Sequence, residues 1–180
     1  MGATTWNYFV RYEADTEAAL QSLREKVFED GEYESGHVTP DRVRAAYEKE
    51  IAENPNAAAP WPQIEQIMEQ LRPLMPRERP KAKTIEELLE QRAESGTHSI
   101  LDIQHISHVP EFGAVNPMPS EQLVKLFGTD KPTRKMVEDK LGDYDLVEHP
   151  LVSERWQGIY FVVYRDGKPD ELYFMGTSGD

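Results

Sequence analysis

Cysteine is absent from this chain of 180 residues. Its absence excludes disulfide bonds, zinc sites built on cysteine and thiol nucleophiles. No apolar run approaches the roughly 20 residues of a membrane-spanning helix, and the N-terminus lacks the basic-then-apolar layout of a secretory signal. The sequence therefore predicts no membrane association and a cytoplasmic location, since a chain without cysteine fits a reducing compartment.

Basic residues are scarce relative to acidic ones. The chain has 20 lysines and arginines against 33 aspartates and glutamates, for a formal net charge of −13 at pH 7. A potential of this sign repels phosphate backbones, so we expect no nucleic-acid partner. The same charge speeds encounter with a positively charged protein, and a basic protein partner is therefore expected.

Sequence motifs that indicate a known catalytic or cofactor-binding function are also absent. The chain contains no P-loop, GxSxG, HExxH or GxGxxG pattern, and no carboxylate cluster has the spacing of a calcium-binding loop. We therefore predict no cofactor, no metal site and a fold that needs no bound metal.

The composition nevertheless supports a folded core. Apolar residues make up 38% of the chain, which is not a disordered composition, and the length suggests one domain. The interpretation is a single α+β domain over residues 1–180. It has a helical N-terminal part (13–72), a basic, proline-rich linker (73–83) and a sheet-forming C-terminal part (84–180).

Three stretches have the pattern of β-strands. Residues 6–12 place Trp6, Tyr8, Val10 and Tyr12 on one face, which is typical of a half-buried strand. Residues 158–164 carry large apolar side chains on both faces, which predicts a strand covered on both sides. The turn residues 165–169 then predict an antiparallel hairpin with residues 171–175.

The helices are marked mainly by their first residues. Asp15 has the position of an N-cap, and Thr84 with Glu87 forms a capping box. Short helices are predicted after Ser120 and after Pro132. Together these elements predict an α+β fold with a mainly antiparallel sheet of about four or five strands and helices packed on it.

Residues 97–108 hold three of the five histidines. Their isoleucines and small hydroxyl residues favour a strand, which we predict to be the middle strand of the sheet. An alternative helix would put His98, Asp102 and His105 at positions i, i+4 and i+7 on one face, where they could gather a divalent metal. On a strand these three side chains cannot do so unaided.

Two classes of function fit these patterns. The first is a non-enzymatic acidic interaction protein, of immunity, antitoxin or regulatory type, that binds a basic protein. The second is a small cytosolic hydrolase or transferase, with a site at the strand 97–108 and the irregular loop 109–119.

The candidate functional residues differ between the two classes. In the enzyme, His98, Asp102 and His105 would supply a general base and its orienting partner. In the interaction protein, the candidate binding residues are aromatic: Trp61 between two prolines, Tyr33 in an acidic loop, and Phe112 in the loop 109–119.

Overall fold

The chain divides into two units. A computed structural model describes residues 4–31, 33, 44, 47–49, 51–52, 63–66, 69, 82–93, 96–141 and 154–178. One unit comprises Met1–Glu34 with Ala82–Asp180, and the other comprises Ser35–Lys81. The described residues of the second unit are helical. The predicted arrangement of domain parts stays a prediction, and residues 73–81 of its linker lie outside the described residues.

The first unit contains five strands, four α-helices and one 3-10 turn among its described residues. In chain order these are β1 (Thr5–Arg11), α1 (Thr16–Asp30), α2 (Ile85–Gln91), the 3-10 turn (Ile100–Asp102), β2 (His105–Ile106), β3 (Ala114–Pro117), α3 (Ser120–Phe127), α4 (Arg134–Leu141), β4 (Gln157–Arg165) and β5 (Lys168–Thr177). Among the helices that the structure describes, none has the length and hydropathy of a bilayer span.

The five strands form one mixed sheet in the order β1-β5-β4-β3-β2. β1, β5 and β4 are antiparallel neighbours, whereas β3 and β2 run parallel to β4. The predicted hairpin is confirmed: Asp166 (φ 51°) and Gly167 (φ 74°) both have the positive φ that a two-residue type I′ turn requires. The α+β class is confirmed as well, with a sheet that is mixed rather than purely antiparallel.

Both faces of the sheet are buried. Along β5, Leu172 and Phe174 pack with α1 and α2 on one face, while Tyr173 and Met175 pack with α3 and α4 on the other. β4 alternates in the same way, which confirms the prediction that residues 158–164 are covered on both sides. The sheet is thus the middle layer between two layers of helices.

The predicted helix starts at Asp15 and Thr84 are confirmed, whereas α3 begins at Ser120 itself and its N-cap is Pro119, so the prediction of a helix after Ser120 is wrong by one residue. The carboxylate of Asp15 accepts a hydrogen bond from the backbone N–H of Ala18 (3.1 Å), and the hydroxyl of Thr84 accepts one from Glu87 (3.2 Å). The Glu87 carboxylate accepts from the backbone N–H of Lys83 (2.8 Å), one residue before the cap. These bonds satisfy N–H groups that the helix itself leaves unpaired.

Helix α1 contacts both edges of the sheet. The Gln21 side-chain amide donates to the carbonyl of Gln104 (3.0 Å), and the backbone N–H of Ile106 donates to the Glu17 carboxylate (2.9 Å), so α1 seals the edge at β2. On its other flank α1 forms a groove with β1. One helix therefore contacts the sheet at both of its edges.

The prediction of a middle strand at residues 97–108 is wrong. Only His105–Ile106 is strand, and it lies at the edge of the sheet; Ile100–Asp102 is a 3-10 turn. Ile100, Leu101 and Ile103 are fully buried, so the β-branched residues reflect burial rather than strand pairing. The helical alternative is wrong too, because a single 3-10 turn cannot align positions i, i+4 and i+7.

The loop 109–119 is less irregular than predicted. It contains β3, which hydrogen-bonds to strands on both sides despite Pro117 at its end. A strand of four residues carries little periodicity, and its neighbours along the sheet decide its conformation.

The indole of Trp6 packs across two glycines. A methyl group added to Gly176 would overlap this ring and lie 2.5 Å from the carbonyl oxygen of Gln157, and one added to Gly158 would lie 2.8 Å from the ring. Trp6 is 4% exposed. Only glycine lets the ring lie this close to β5 and β4.

We predict that Gly176→Ala lowers the free energy of unfolding by about 2–3 kcal/mol, because the added methyl group overpacks this contact. The control is Gly167→Ala in the hairpin turn, where nothing lies within 4 Å and only the positive φ is strained, for about 1 kcal/mol. Urea denaturation measures both losses. Equal losses in the two variants would contradict the packing explanation.

Candidate functional site

Asp102 stabilises the turn formed by residues 97–102, which precedes β2. Its side chain is buried, and its Oδ1 accepts a hydrogen bond from the backbone N–H of Thr97 (2.8 Å). The hydroxyls of Thr97 and Ser99 lie 2.9 Å apart, and Ser99 also accepts from the backbone N–H of Leu101 (3.3 Å). The Asp102 carboxylate, which was predicted to orient a catalytic base, therefore accepts a hydrogen bond from the backbone of its own turn.

His98 is engaged with the N-terminal strand. Its Nδ1 lies 3.1 Å from the hydroxyl of Thr4, whose carbonyl accepts from the backbone N–H of Ser178 (2.8 Å). The backbone of His98 has a positive φ of 57°, an uncommon conformation for a residue other than glycine. This turn directs the ring toward the end of the sheet where β1 begins.

His105 forms a surface pair with Glu111. Its Nε2–H donates to Oε1 of Glu111 (2.8 Å), and each side chain is about half exposed, at 49% and 47%. The hydrogen bond from His105 holds the pKa of the Glu111 carboxyl below its ordinary value, and a second one from Ser107 acts in the same direction. The pair braces the loop between β2 and β3.

The three predicted catalytic residues thus take part in three separate contacts. Asp102 is bonded to Thr97, His98 to Thr4, and His105 to Glu111. In the described ranges no group of three or more histidine, aspartate or glutamate side chains is placed to hold a metal ion. These three residues were chosen from the sequence for the chemistry of their side chains. In the structure, each of them contacts a different neighbouring residue.

Phe112 lies on the surface of the braced loop. It is 66% exposed, and its ring packs against Trp156 at 5.4 Å between centroids. The next residue, Gly113, donates to the carbonyl of Trp156 and accepts from the backbone N–H of Gln104, both at 2.7 Å. Val109 on the same loop is 59% exposed. The loop therefore presents two apolar side chains from a well-bonded backbone.

Of the other two predicted binding residues, the structure describes only Tyr33, which is buried. Tyr33 is 3% exposed, and its ring stacks on Phe28 at 5.6 Å within the core. Trp61 lies outside the described residues. The binding roles of Tyr33 and Trp61 stay predictions.

A groove of about 310 Å³ runs between β1 and α1. Its floor is apolar, and exposed polar side chains lie at its margins. The lining residues are Tyr8, Phe9, Val10, Arg11, Glu13, Ala19, Ser22, Leu23, Lys26 and Val27. Sequence analysis predicted β1 and α1 but missed the groove, because it exists only once α1 is placed against one edge of the sheet.

The outer edge of β1 is unpaired in the part of the chain that the structure describes. The backbone N–H of Tyr12 donates to Asp170, and that of Ser178 donates to the carbonyl of Thr4, so the even-numbered residues of β1 bond to β5. Antiparallel pairing then turns the backbone groups of every second residue outward. These residues are Thr5, Asn7, Phe9 and Arg11.

Comparison of the chain with protein-family models, with curated proteins and with solved structures finds no match. The function therefore has to be inferred from the surfaces of the molecule itself.

We predict that His105→Ala raises the pKa of the Glu111 carboxyl toward its ordinary value, because the largest cause of its lowering is removed. Carboxyl chemical shifts followed by NMR across pH 2–7 measure this pKa. A lowered folded-state pKa gives stability that is present above the ordinary value of about 4.3 and is lost as the pH falls through the folded value. The variant should therefore lose less stability on acidification.

The control for this titration is His108→Ala, which removes an exposed neighbouring histidine. It should leave the Glu111 titration unchanged. An equal shift in the two variants would show that general charge, rather than the hydrogen bond, sets this pKa.

Proposed function

We propose that this chain is a non-enzymatic interaction protein that binds a basic protein partner. The observation that carries the proposal is the exposed phenyl ring of Phe112 on its braced loop. Val109 and Phe112 are two of the three large apolar side chains that are most exposed in the described ranges, and the same loop carries both. Exposed apolar side chains that share one surface loop favour an interaction surface over the single scattered ones of an ordinary surface.

The support of Phe112 favours a role as an anchor. Trp156 holds one side of the ring, and the backbone hydrogen bonds of Gly113 fix its position. A partner that covers the ring gains apolar burial without having to order a mobile side chain. Aromatic residues held in this way often provide a large share of the binding free energy at an interface.

The charge of the chain favours a basic partner. The net charge is −13, and residues 13–30, which include α1, hold six acidic and two basic side chains, a local net charge of −4. Charges of this kind act mainly on association rate and partner choice, and salt screens them. The enzyme alternative has less support, because Asp102 is bonded within its own segment and His98 and His105 have separate partners.

We predict that Phe112→Ala weakens partner capture at least about tenfold, since truncating a buried anchor commonly costs more than 1 kcal/mol. Pull-down from the native cell at low and then moderate salt is the measurement. The unsubstituted chain should retain a basic protein at low salt and release it as the salt concentration rises. The matched control is Val124→Ala on α3, another exposed apolar position (48%), which should bind as the unsubstituted chain does.

Two outcomes would contradict the proposal. One is that no basic protein is retained at low salt. The other is that a turnover is found which His98→Ala or His105→Ala abolishes, because the enzyme alternative would then explain the chain better.

A further inference from the structure

The two edges of the sheet are protected very differently. β2 has two residues; Glu17 of α1 accepts from the backbone N–H of Ile106, and Gln21 of α1 donates to the carbonyl of Gln104 just before the strand. β1 has seven residues, contains no proline and carries one charge, Arg11 at its end. Proteins usually protect a long edge strand with proline, charge or a covering element, because an open edge pairs readily with another chain. The edge at β1 has the properties of a pairing site.

The groove beside this edge suits one extended segment. Tyr8 and Val10 face it from β1, and Leu23 and Val27 face it from α1. Its volume of about 310 Å³ is at the small end of the range of about 300–1,000 Å³ for ligand pockets. It therefore admits a few side chains of a strand and not a folded domain.

We infer that an extended segment of the basic partner adds to the sheet as a sixth strand along the outer edge of β1. This inference rests on the proposed function and specifies how the partner is held. The four outward residues of β1 supply backbone hydrogen bonds, and alternate apolar side chains of the segment enter the groove. Antiparallel addition continues the pattern of β1, β5 and β4.

The charge of Glu13 favours a basic residue in the segment near this end of β1. Glu13 lies two residues after β1, belongs to the groove lining and is exposed. It forms no ion pair with any residue that the structure describes. Arg11 of β1 and Lys26 of α1 also line the groove, whereas residues 13–30, which include α1, carry a net charge of −4. A lysine or arginine of the segment next to Glu13 complements this charge.

A second copy of the chain fits this edge less well. Two-fold pairing of β1 with β1 would place the groove of each copy beside that of the other, so that neither groove would receive an extended segment. It would also bring together two molecules that each carry a net charge of −13. Like charges in this position oppose association.

The probe for this inference is a fluorescent peptide of nine residues, with three valines and two threonines alternating between two lysines at each end. We expect saturable binding to the full chain by fluorescence anisotropy. Replacing the lysines with glutamates should weaken binding at least about tenfold, because the charge complementarity is reversed. Increasing salt should weaken binding of the lysine peptide.

Backbone methylation of the peptide separates strand pairing from charge attraction. In an antiparallel strand whose valines enter the groove, the threonine N–H groups point toward β1 and the valine N–H groups point away. N-methylation of both threonines should therefore abolish binding, whereas N-methylation of the three valines should change it by less than about twofold. The reverse result would support parallel addition.

Asn7→Pro tests the same edge from the protein side. Asn7 is exposed and its N–H faces outward, so proline removes an edge donor without removing a bond to β5. Peptide binding should weaken at least about tenfold, and the control Asn7→Thr, which keeps the N–H, should bind like the unsubstituted chain. Circular dichroism checks that both variants fold, and the methylated peptides carry the test if Asn7→Pro does not.

Three results would overturn strand addition. They are equal effects of the two methylation patterns, equal binding by folded Asn7→Pro and Asn7→Thr, and no saturable binding up to about 1 mM peptide. The proposed function is judged separately, by the retention of a basic protein in the Phe112 pull-down. If folded Asn7→Pro still retains that protein, the proposed function is supported and strand addition at β1 is rejected.

Discussion

The structure depends on the placement of α1 against the sheet, where it contacts both edges. One side of the helix buries Leu20, Leu23 and Val27 against the sheet, and Glu17 and Gln21 close the edge at β2. A single helix of 15 residues therefore supplies core packing and edge protection together. Because α1 bonds to the edge at β2 and leaves a groove at the edge at β1, one edge of the sheet is covered and the other is open.

The elements that the sequence predicted are those whose signals are local. The Asp166-Gly167 turn, the Asp15 and Thr84 caps and the alternation in β4 each follow from residues within a few positions of one another. The prediction of a strand at residues 97–108 was wrong because its isoleucines are buried by distant elements rather than paired in a sheet. Ser99 and Asp102 bond nearby backbone groups and hold a 3-10 turn instead. Burial and strand pairing select the same residue types, so composition alone did not distinguish them.

The candidate site was harder to predict than the fold. His98, Asp102 and His105 were selected by side-chain chemistry, yet their contacts depend on partners that side-chain chemistry did not indicate. Thr4 lies 94 positions from His98, Thr97 lies five from Asp102, and Glu111 lies six from His105. Phe112 was selected as an aromatic residue in a loop, and its support by Trp156 could not be read from the sequence. The groove and the open edge follow from strand order, for which the sequence carries no direct signal.

The pairing of β1 with β5 has a consequence for biosynthesis. Thr5 pairs with Thr177, so β1 cannot join the sheet before β5 has been synthesised. Contacts between such distant residues form slowly, because a long loop must close first. Until β5 is made, the aromatic side chains of β1 lack their neighbours in the sheet, and a strand edge left unpaired in this way is prone to aggregation.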